Sequence, residues 1–176
     1  MATKKTSMFT LTERLTITAA NVETFATISL ASYVDVGDRQ ALQVHSVDYI
    51  FQGTNANKSV TTALNADHSA LVQVTDLNRG GLVFADDRAL VSSASLFKGG
   101  GSAALSEEAD MYPDNYGKGS DDGRFVVNDQ LYITGLATGI APDQAVNVTV
   151  RVNASIVSLT AKDFMAIAIQ STAADN

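Results

Sequence analysis

The stretch "AVNVTVRVNASIV" at 145–157 constrains the fold of this chain more than any other. Val146, Val148, Val150, Val152, Ala154 and Ile156 alternate without a break against Asn147, Thr149, Arg151, Asn153 and Ser155. Successive side chains of an extended strand point to opposite faces, so the pattern dictates a long strand with one face in a core and the other in water. The same period of two recurs in "FTLTERLTIT" (9–18), where Phe9, Leu11, Leu15 and Ile17 share a face opposite Thr10, Thr12, Arg14, Thr16 and Thr18. "ETFATISLASYV" continues it, with Ala26, Ile28 and Leu30 opposite Thr27 and Ser29.

In "QALQVHSVDYIFQ" (40–52) the apolar positions are Leu42 and Val44, then Val47, Tyr49 and Phe51, so the parity flips near His45-Ser46. A β-bulge does this, as does a strand that passes from one sheet to another. "ALVQVTDL" (70–77), "ALVSSASLF" (89–97) and "RFVVNDQLYITG" (124–135) supply further strands. They are separated by "NRGGLVFADD", by a long loop at 98–123, and from the last strand by the Gly/Pro link "LATGIAPDQ". The final element changes period. "TAKDFMAIAIQ" opens on Thr160 with Asp163 three residues later, a capping-box pattern with Asp in place of Glu or Gln. Phe164, Ile167 and Ala168 then share a helical face that Met165 and Ile169 widen. Seven or eight strands and one terminal helix predict an all-β antiparallel sandwich, with a jelly roll as the favoured form. Residues 1–8 are expected to form a flexible arm, 9–170 one domain, and 171–176 a tail.

Composition narrows the chemistry. The chain has 176 residues, enough for one domain with a proper core. Only 18% of residues are charged, so Thr, Ser, Asn and Gln must supply the polar surface. The net charge of -7, with Lys4-Lys5 the only basic pair, argues against nucleic-acid binding by the domain as a whole. The absence of cysteine excludes disulfides, zinc–thiolate sites and thiol catalysis. No apolar leader and no stretch long enough to span a membrane is visible, so a soluble protein made in a cytoplasm is expected.

The loop "LFKGGGSAALSEEADMYPDNYGKGSDDGRF" (96–125) invites several chemistries. Its glycines lack P-loop spacing, since no glycine stands before Gly117 at the position that the motif requires. Asp110, Asp114, Asp121 and Asp122 are hard oxygen ligands of the kind calcium takes, although EF-hand spacing is absent; solvated loop charges are the plainer reading. No other cofactor is expected. His45 and His68 are the only histidines, and neither stands in a nucleophile motif; Asp67 and Ser69 beside His68 would point to the opposite face of an extended segment. Glu107-Glu108 lie in the loop, where burial would not raise a pKa for general-acid work. An enzyme is therefore not expected. The sequons at Asn57, Asn147 and Asn153 follow from an Asn/Thr-rich composition.

A domain without a chemical site works through surfaces. A long irregular stretch in a compact domain is usually functional or disordered. Met111, Tyr112, Pro113 and Tyr116 are side chains favoured where a partner covers them, so the loop is expected to pack on a neighbouring subunit. A Thr/Ala/Val/Asn-rich single domain, a short tail with Lys4 and Lys5, long loops, no active site and no cysteine together resemble the single jelly-roll viral capsid proteins. The resemblance spans the whole chain as pattern, with no short diagnostic motif. It implies symmetric self-assembly into an icosahedral shell through rims and loops, by pentameric or hexameric units, with Lys4 and Lys5 of the arm at interfaces. The chain departs from coat proteins that package RNA on long basic arms, which leaves genome contact to other components or to a few inner-surface residues. Two other readings stand beside it. One is an extracellular filament or surface-layer subunit. The other is a calcium-dependent carbohydrate-binding or adhesion module using Tyr112, Tyr116 and the aspartates, against which the lack of tryptophan counts.

Overall fold

The computed structural model describes residues 2–35, 37–100, 105–109 and 124–172. In chain order its elements are β1 (Thr3–Lys4), β2 (Phe9–Ile17), β3 (Thr24–Ser29), β4 (Gln40–Gly53), β5 (His68–Thr75), β6 (Leu90–Lys98), β7 (Leu105–Ala109), β8 (Arg124–Val126), β9 (Gln130–Ala137), β10 (Val146–Ser158) and α1 (Ala161–Thr172). A 3-10 turn at Val60–Thr62 lies between β4 and β5.

The strands form two antiparallel sheets. In the first, β10 is central: β2 and β1 run along one side of it, β4 along the other, and β8 lies beyond β4. The second runs β3-β9-β5-β6-β7. Apart from β1 and β7, the chain pairs first strand with last and works inward: β2 with β10, β3 with β9, β4 with β8, β5 with β6. A long hairpin rolled up in this way is a jelly roll.

Between the sheets lies one core. The inward residues of β10, Val146, Val148, Val150, Val152 and Ala154, are fully buried beside Leu15, Ile17, Val44, Val72, Val74 and Ile133. Burial of each large aliphatic side chain contributes about 1.5–3 kcal/mol, so strict alternation locks the register. Gly135 on β9 sits where the sheets approach closely; a Cβ there would lie 2.4 Å from Leu15 Cδ2.

The parity flip in β4 is a bulge, and both halves of the strand stay in the first sheet. Asn153 faces Ser46 and Ala154 faces Val44, which leaves His45 as the extra residue. Three expectations are altered. The stretch 124–135 is two strands in different sheets, because Asn128 turns the chain and donates Nδ2 to the Asp76 carbonyl. Part of the 98–123 loop is strand, since β7 pairs with β6 from Ala94↔Ala109 to Lys98↔Leu105. Within the segment 1–8, Thr3 and Lys4 face Ser158 and Val157, and the Lys5 N–H donates to the Ile156 carbonyl at 2.8 Å.

The helix is capped as its sequence predicts. Thr160 Oγ1 accepts from the Asp163 N–H at 3.2 Å and donates to Asp163 Oδ2 at 2.8 Å. Phe164, Ile167 and Ala168 pack with Ala41, Val127, Val157 and Leu159, so α1 covers part of the outer face of the first sheet.

Candidate assembly surfaces

The residues singled out for chemistry divide by position. Asp110, Asp114, Asp121 and Asp122, and with them Met111, Tyr112 and Tyr116, lie outside the described residues. Lys4 and Lys5 are exposed at the margin of the first sheet, where Lys4 stands opposite Val157.

His45 Nε2 lies 2.9 Å from Ser155 Oγ. Burial lowers the histidine's pKa, and the charge of Lys4 lowers it further. Ser155 is fully buried, so no substrate reaches its hydroxyl. His68 Nδ1 lies 2.7 Å from the Ala66 carbonyl oxygen, held by its own turn. Among the described residues, no group of three or more His, Cys, Asp or Glu side chains comes together as a metal site.

Among the described residues the most buried ionisable side chain is Asp76, just after β5 and 2% exposed. Its Oδ2 accepts from Arg124 Nη2 at 3.0 Å, which joins the loop after β5 to the start of β8. Arg124 also donates to the Arg88 carbonyl, and Arg79 bridges Asp87 at 3.0 Å. Burial raises the Asp76 pKa, opposed by Arg124. These ties staple one end of the sandwich together. On the outer face of the first sheet, Asn153 accepts from Thr10 Oγ1 at 2.7 Å and donates to Ser46 and Asp48 at 2.9 and 3.1 Å. The Nδ2 group that a glycan would use is thus already engaged at one sequon.

The features that the sequence reading missed are apolar. Gln73, on the outer face of the second sheet, makes two bonds to Val83: Nε2 to the Val83 carbonyl at 2.9 Å, and Oε1 from the Val83 N–H at 2.8 Å. The amide side chain imitates a ladder pair and pins the loop after β5 across the sheet. Glu23 Oε1 fixes the same loop by accepting from the Leu82 N–H at 3.1 Å. The result is an open apolar recess of about 370 Å³ lined by Leu71, Leu82, Val83 and Phe84. Phe84 is 87% exposed, and Phe25 and Phe97 on the same sheet are 55% and 41% exposed.

A second apolar feature stands on the opposite side of the molecule. Met165 and Ile169, expected to widen the buried face of α1, point outward at 57% and 61% exposure. Exposed phenylalanines thus stand on one outer face and an apolar pair on the other. The signal in sequence was the run Leu82-Val83-Phe84 inside a stretch that otherwise reads as a connector.

No protein-family model matches the chain. No curated protein matches it. Among solved structures, it is similar to the unassembled pentamer of Merkel cell polyomavirus VP1, at 9% identity and a TM-score of 0.44, over 90% of this chain and 98% of that one. The same virus's VP1 in complex with 3'-sialyllactosamine is similar at 9% identity and a TM-score of 0.41, over 88% and 96% of the two chains. Desmodium yellow mottle tymovirus follows at 11% identity and a TM-score of 0.30, over 88% and 90%. Likeness at this level says nothing of function, and the jelly-roll assignment rests on the strand order itself.

Proposed function

We propose that this chain is a non-enzymatic structural subunit that self-assembles, as a viral capsid protein forming an icosahedral shell. The observation that carries the proposal is a jelly roll with large apolar side chains exposed on both of its outer faces, Phe25, Phe84 and Phe97 on one and Met165 and Ile169 on the other. Burying such surfaces against other copies is the physical drive for assembly, and jelly rolls serve widely as capsid building blocks. The proposal extends to Met111, Tyr112 and Tyr116 as interface residues, and to calcium held by Asp110, Asp114, Asp121 and Asp122 as a bridge between subunits.

Negative-stain electron microscopy of the purified protein, with and without a chelator, tests this. Closed shells or rings are expected, and their loss in chelator would assign the aspartates to calcium. Filaments would transfer the protein to the fibre or surface-layer class. A monomer at every concentration would overturn the proposal.

A further inference from the structure

We infer that the outward ridge of α1, Met165 and Ile169, docks into the recess formed by Leu71, Leu82, Val83 and Phe84 on a second copy of this chain. The inference rests on the assembly reading above and names the contact that drives it. Met165 and Ile169 are one helical turn apart and stand side by side on the exposed face. The recess lies on the outer face of the second sheet and the ridge over the outer face of the first, so one copy cannot satisfy its own recess. The contact is therefore head-to-tail, the kind that closes into a ring or propagates as a chain.

Charge supports the same pairing. Exposed Lys162 lies one turn before Met165, and exposed Lys4 and Lys5 flank the sheet that α1 covers. Across the contact, Glu23 is fastened beside Leu82, and Asp86 is exposed two residues beyond Phe84. Opposite charges around an apolar centre orient an encounter without supplying most of its affinity.

The test uses the full chain in three forms: wild type, a ridge variant (M165E with I169E) and a recess variant (F84E), so that altered ridge and altered recess repel each other. The replaced side chains are exposed, and far-UV circular dichroism checks that both variants keep the fold. Sedimentation velocity over a concentration series should show wild-type assembly, with each variant's self-association weakened by at least about 30-fold. An equimolar mixture of the two variants should form a 1:1 dimer that grows no further, because one intact ridge meets one intact recess. Variants that assemble like wild type would overturn the docking and leave the assembly reading standing. A folded mixture that forms no dimer would also overturn the docking. A wild type that stays monomeric would overturn both.

Discussion

His45 is the residue left over where β4 meets β10, and the bulge that sets it apart also places it beside Ser155 and under the influence of Lys4. Its pKa in the fold lies below the ordinary histidine value, first through burial and then through Lys4. Between that lowered value and the ordinary one, the unfolded chain binds more protons than the folded one, so stability rises with pH through the window and is lost on acidification. Urea midpoints between pH 7 and 5 should therefore fall further for wild type than for H45Q, which keeps a polar group opposite Ser155; equal slopes would refute this. Asp76 has the opposite sign. Burial raises its pKa, so the folded state holds the proton to higher pH, and this carboxyl's contribution increases as pH falls toward the ordinary carboxylate range. A third residue answers to space alone. At Gly53, closing the end of β4, an added Cβ would lie 2.2 Å from the Ser59 carbonyl oxygen. Because that atom is backbone, G53A should cost about 1–3 kcal/mol in denaturant unfolding. The bulge was legible from the parity of Val44 and Val47, since inserting one residue must reverse the faces. The crowding at Gly53 was not legible, because it depends on where a distant turn comes to rest.

Among the elements, α1 was announced by Thr160 and Asp163, and both cap bonds form. Thr160→Ala should cost about 1 kcal/mol, read as a lower urea midpoint at an unchanged slope. An unaltered midpoint would show that packing of Phe164 and Ile167 on the sheet suffices. The side of the helix was only half legible: a 3.6-residue period shows which residues cluster, whereas the width of sheet left uncovered decides which of them are buried. Met165 and Ile169 fall outside that width. β8 and β9 look like one strand in sequence because "RFVVNDQLYITG" is apolar on both sides of Asn128-Asp129, although that pair is itself a turn signal. β7 was hidden for a different reason. "LSEEA" has weak strand propensity, and its pairing with β6 makes it a strand.

For the whole molecule, the pairing of first strand with last was not legible, because alternation fixes faces but leaves strand order free. What alternation did dictate was two sheets around one core. The candidate surface was least legible: the sequence pointed to the 98–123 loop, whereas the described residues offer Phe84 and the outer ridge of α1. Assembly through opposite faces carries a salt prediction. Raising ionic strength should weaken the steering by Lys4, Lys5 and Lys162 and slow assembly, while leaving the apolar contact in place. Static light scattering against time at two salt concentrations reads this directly; a rate that rises with salt would mean that the net charge of -7 repels more strongly than the rims attract.

The most direct measurement of the central claim is native mass spectrometry of the purified chain across a concentration series. Self-assembly predicts discrete multiples of the 18.5 kDa subunit, rings first and then closed particles, with intermediates scarce between them. A single 18.5 kDa species at every concentration would contradict it.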